Sequence, residues 1–125
     1  MAARSRGFTL IELLAVMAII GTLLLIAVPR YYGSIDRAKE AVLKENLFRA
    51  RDAIGRYYRD KGKYPASLET LATEKYLRKL PFDPITESAM TWVIVPPDDP
   101  QNGGVSDVKS GAQGNASDGS AYADW

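Results

Sequence analysis
A single carboxylate, Glu12, stands inside a run that is otherwise apolar or small from Phe8 to Val28. As a helix those 21 residues would be about 31 Å long, close to the roughly 30 Å of a bilayer's hydrocarbon core. A charge at the centre of such a segment costs about 2.5–3.5 kcal/mol and less towards its end. Glu12 therefore requires either a cationic partner or the headgroup region. Other reactive chemistry is thin. The chain has no His and no Cys, which removes the commonest general base and the thiol nucleophile. Its serines have no evident base, and no phosphate-cradling glycine loop precedes a helix. An enzyme is not expected.

The element that must position Glu12 is one long helix, expected from Phe8 to Lys61. Pro29 lacks an N–H and clashes with the carbonyl of Leu25, so a kink is expected there, with Gly21-Thr22 a second weak point. Residues 8–29 form a membrane or filament-core half and residues 30–61 an amphipathic half. In the second half Ile35, Ala38, Val42, Leu43, Leu47, Ala50, Ile54 and Tyr57 recur at helical spacing and make an apolar stripe. Asp36, Lys39, Glu40, Lys44, Glu45, Arg49, Arg51, Asp52, Arg56 and Arg59 fall on the other face. Ion pairs are expected there from Asp36 or Glu40 to Lys44 and from Glu45 to Arg49. Gly62 is a natural stop. Ser67 can cap a short helix over residues 67–77 that carries Leu68, Leu71, Tyr76 and Leu77.

Sheet and loop are expected over residues 82–125. Met90–Val95 is β-rich and ends at Pro96-Pro97, and Gly104–Val108 is a second short strand. Ser110–Trp125 is rich in Gly, Ser, Asp and Ala and reads as loop, with Tyr122 and Trp125 apolar enough to dock on the sheet or on a neighbour. The fold class is α+β: a long N-terminal helix packed on a small C-terminal antiparallel sheet.

The formal net charge of +1 conceals a polarity. Residues 30–79 carry a net charge of +6 and residues 81–125 a net charge of −6. The basic stretch is interleaved with tyrosines, but acids share its face, the pattern of a solvated helix surface, and nucleic acid is not expected as a partner. Without cysteine no disulfide can staple the globular part, which is compatible with an oxidising compartment without requiring one. Charge does not orient the segment: Arg4 and Arg6 on one side face Arg30, Arg37 and Lys39 on the other.

The order Gly7-Phe8-Thr9-Leu10-Ile11-Glu12 after a short basic leader resembles the processing signal of the type IV pilin superfamily. A secretory signal fits less well, because its apolar region is about 7–15 residues and a small-residue cleavage site follows it; Ala27-Val28-Pro29 is a poor one. The resemblance implies a leader of residues 1–7, cut between Gly7 and Phe8 by a prepilin peptidase that also N-methylates Phe8. Glu12 would then neutralise the terminal amine of an adjacent subunit at Phe8 and set the stagger of a filament. It further implies a single-pass inner-membrane protein with residues 30–125 forming a periplasmic pilin-like domain. The expected partners are copies of itself, other pseudopilins, the inner-membrane assembly platform and, before assembly, membrane lipid.

Farther along, Gly62-Lys63-Tyr64-Pro65 and Leu80-Pro81-Phe82-Asp83-Pro84 before a Gly- and Asp-rich tail are similar to the G-type major pseudopilins of type II secretion systems. In that family the tail binds calcium. Here Ile85-Thr86-Glu87-Ser88 replaces the usual Trp-Gly-Asn-Pro, and Ser110-Gly111-Ala112-Gln113-Gly114 is shorter than its counterpart and lacks a carboxylate. Asp107, Asn115, Ser117, Asp118 and Asp124 remain as oxygen donors for a cation that takes about six to eight; the alternative is solvated aspartates in a flexible tail. A type IV pilin for adhesion, twitching or DNA uptake is the other reading of the whole chain.

Overall fold
The computed structural model describes residues 6–125; the first five residues of the expected leader lie outside them. Helix α1 runs from Leu10 to Lys61 and continues through Pro29. It stops where expected: Gly62 takes a positive φ of 73° and its N–H bonds the Tyr58 carbonyl at 2.8 Å, a left-handed cap that glycine adopts without Cβ strain. The chain divides into two compact units at Ile35/Asp36. In the first, every residue from Arg6 to Val28 is exposed, with Phe8 at 81%. Thr22 turns its hydroxyl back onto the Ala18 carbonyl, which satisfies that polar group within the helix.

The second unit is built on the amphipathic half of α1. Leu43, Leu47, Ala50, Ala53, Ile54 and Tyr57 are buried against Leu68, Leu71, Trp92, Val105, Val108 and Tyr122. The expected stripe needs two corrections. Val42 is 49% exposed, and Ala38 is also exposed. Glu40, expected on the solvated face, is buried at 8% exposure.

Helix α2 spans Leu68–Thr73, with Ser67 accepting from the Thr70 N–H as its cap. It is shorter than the expected 67–77. The chain reverses at Lys75, whose φ is 66°, and the N–H groups of Tyr76 and Leu77 both return to the Leu71 carbonyl. The apolar spacing of Tyr76 and Leu77 therefore reflects a fold-back and not a further helical turn. That connection is pinned to α1 by Asn46 donating to the Phe82 carbonyl, Arg56 to the Tyr76 carbonyl, and the Tyr76 hydroxyl to Asp60 at 2.7 Å.

Strands β1 (Val93–Val95) and β2 (Asp107–Lys109) form an antiparallel pair in the register Val93↔Lys109, Ile94↔Val108, Val95↔Asp107. Both are shorter than the alternation suggested, and β2 begins three residues late because Gly103 and Gly104 do other work. Their backbone lies on Tyr64 and Ala66 so closely that any Cβ would strike the carbonyl oxygens there, while Gly104 and Val105 donate to the Pro65 carbonyl at 3.0 Å each. Truncating a side chain in this core should be costly. Leu47→Ala and Leu71→Ala are each expected to lower unfolding free energy by about 2–5 kcal/mol. Val42→Ala should change it by less than about 0.5 kcal/mol. Urea unfolding of the full chain in detergent micelles checks all three.

Candidate functional site
The head of α1 explains what Glu12 does within a single chain. Thr9 precedes the first helical residue, and its carbonyl accepts the first helical bond, from the Leu13 N–H at 3.1 Å. The Glu12 N–H donates to the Thr9 hydroxyl oxygen at 3.2 Å, and the Glu12 carboxylate accepts from the Thr9 N–H at 3.1 Å. This reciprocal pair is a capping box, which satisfies two otherwise orphaned N–H groups and places a negative charge at the positive end of the helix. The signal, Thr-x-x-Glu before an apolar run, was present in the sequence but lay beneath the membrane reading. Gly7 and Phe8 lie just before the helix, non-helical and exposed, so the bond between them is sterically open.

The tail residues do not converge. Asp107 Oδ1 accepts from Arg51 Nε at 2.9 Å and from the Val108 N–H at 2.7 Å. Asp118 Oδ1 accepts from the N–H and hydroxyl of Ser120. The Ser117 hydroxyl donates to Glu40 Oε2 at 2.6 Å. Asn115 is exposed and bridges Ala121 through its backbone, and Asp124 lies exposed in a 3-10 turn over Tyr122–Asp124. Among the described residues no three acidic side chains come together. A guanidinium against Asp107 and split carboxylates elsewhere do not fit calcium's need for convergent oxygens.

Glu40, expected on the solvated face, organises this region instead. Glu40 Oε1 accepts from the Ser117 N–H at 2.7 Å and from the Tyr122 hydroxyl at 3.0 Å. The Ser117 hydroxyl first, then the Ser117 N–H and the Tyr122 hydroxyl, hold the Glu40 carboxyl below its ordinary value of 4.5, against burial and Asp118. Burial and the bond to Glu40 push the Tyr122 phenol up to about 12. Of the expected ion pairs, Glu45–Arg49 forms at 3.0 Å, whereas Lys44 lies 4.5 Å over the Trp125 ring. Asp83, fully buried, binds the Ile85 and Thr86 N–H groups through Oδ1 and the Ser110 hydroxyl through Oδ2. Tyr122 and Trp125 pack ring to ring at 5.1 Å and dock on α1 through Glu40, Lys44 and Arg51, where the sheet or a neighbour was the expected seat.

A long helix whose first half is apolar and unpartnered, capped through a carboxylate and followed by a small sheet, defines a pilin-like subunit. Residues 2–28 match the prokaryotic N-terminal methylation motif. The chain is 30% identical over 97 residues to the type II secretion system core protein G of Klebsiella pneumoniae, covering 65% of this chain and 69% of that one. It is 30% identical over 97 residues to the Pectobacterium carotovorum core protein G, covering 65% and 62%. It is 43% identical over 61 residues to the fimbrial protein EcpC of Eikenella corrodens, covering 49% and 40%. The chain thus spans less than two thirds of the last two relatives. No solved structure matches it. The chain belongs to the type IV pilin superfamily, within the family of the type II secretion system core protein G.

Thr9→Ala should remove about 1 kcal/mol of cap stability, read as faster amide exchange at Glu12 and Leu13 in micelles. The Glu40 contribution is complete above its unfolded value near 4.5 and is lost as pH falls through its lower folded value. The Tyr122 contribution is complete below its unfolded value of 10.0 and is lost as pH rises through about 12. The urea midpoint should therefore fall on acidification below pH 4.5, and Glu40→Gln should flatten that acid limb when midpoints are measured against pH.

Proposed function
We propose that this chain is a structural subunit, a pseudopilin, which polymerises into a short periplasmic fibre that drives type II protein secretion. A prepilin peptidase removes residues 1–7 and methylates the amine of Phe8. The apolar half of α1 holds the subunit in the inner membrane, with the domain from residue 30 on in the periplasm. An assembly platform then draws subunits out, exchanging lipid for helix–helix contact, and Glu12 pairs with the Phe8 amine of a neighbour. Energy comes from a separate cytoplasmic motor, and no residue of this chain is catalytic.

The observation that carries this reading is the exposed apolar half-helix with its lone carboxylate at the head. The extent of similarity supports the secretion branch: the match covers 65% of this chain, more than α1 and its head can supply, so the likeness reaches into the C-terminal half. The pilin reading rests on the fimbrial relative, whose 61 aligned residues are a length that the head and α1 alone would fill. Glu12→Val is expected to leave membrane fractionation unchanged and to abolish polymer; normal polymer yield overturns the assembly role. Deleting the gene separates the two branches, with loss of secreted proteins expected and loss of twitching alone favouring a pilin.

A further inference from the structure
Glu40, Lys44, Leu47 and Arg51 succeed one another at intervals of four, three and four residues, which places them on one stripe of α1. Each charged member meets the tail. At one end the Glu40 carboxylate holds Ser117 by backbone and side chain, and Tyr122 by its hydroxyl. Lys44 covers the Trp125 ring. At the other end Arg51 donates through Nε to Asp107 and through Nη2 to the main-chain oxygens of Val108 at 3.0 Å and Trp125 at 2.6 Å. A third tie comes from buried Asp83 to Ser110 at 2.5 Å. Residues 107 to 125 are thus fixed at both ends and in the middle by charge-assisted bonds, the stronger class of protein hydrogen bond.

A tail built around a cation would leave oxygens converging with no protein donor. Among the described residues no buried side-chain polar atom lacks a hydrogen-bond partner. The guanidinium of Arg51 also stands against Asp107, where a second cation would be repelled. We infer that Glu40 and Arg51 form a metal-free clasp that does in this chain what calcium is implied to do in its relatives, so that the tail docks without any divalent ion. The inference concerns the folded subunit and stands apart from whether, or where, it polymerises.

The test uses the full chain in detergent micelles, with calcium chloride or with EGTA. Limited proteolysis of the tail and the thermal midpoint, followed by tryptophan fluorescence, are expected to be the same in both. A calcium-dependent rise in midpoint, or protection of the tail by calcium alone, overturns the clasp. Arg51→Met and Glu40→Gln are expected to speed tail cleavage on the order of tenfold in either buffer, since cleavage tracks the open population. Wild-type protection in both variants would also overturn it. Because Glu40→Gln could act through general destabilisation, the pair Ser117→Ala with Tyr122→Phe removes the same bonds from the other side. It should add little to Glu40→Gln, and full additivity counts against the clasp.

Discussion
From Leu10 to Val28 this subunit presents apolar side chains on every side of one helix, and among the described residues nothing buries them. Such a surface is stable against lipid or against similar helices and unstable in water. The remaining architecture answers to that constraint. The amphipathic half of α1 turns one stripe inward to build a core and leaves the helix itself long. The small sheet and its loops lie along that stripe within the second unit, so the element with the apolar surface is also the element on which the domain folds.

A domain of this size without disulfides must hold a long C-terminal loop by other means. Its solution is polar and local to one helix face. Glu40 is buried with all its bonds made, Arg51 spreads its donors over three oxygens, and Asp83 fixes a turn while reaching Ser110. Buried or half-buried charges are costly when unpaired, which is why these three are saturated. Glycines at 103 and 104 permit the close backbone approach to Tyr64 and Ala66 just before β2.

Much of this was legible in the chain's pattern. The long helix, its stop at Gly62, the Ser67 cap and the exposed apolar head all follow from spacing or from single residue types, as does the anchoring of Tyr122 and Trp125, though not its seat on α1. Glu40 and Arg51 read as solvated because their neighbours in sequence are charged, whereas their partners lie 77 and 56 residues away. Nothing local distinguishes a solvated glutamate from one awaiting a distant serine. The end of α2 is hidden in the sequence because Tyr76 and Leu77 keep helical spacing while Lys75 reverses the chain. Val42 shows the converse, an apolar residue on schedule at the stripe edge that the fold leaves half exposed.

The capping box at the head of α1 has an energetic corollary. Glu12 is not a bare charge waiting for rescue; it already holds the amide of Thr9. A cation arriving at this carboxylate finds Oε2 already engaged, so the charge it meets is partly compensated. The head of the helix is thereby settled electrostatically before any contact beyond the chain is made, its one negative charge lying where the backbone dipoles favour it.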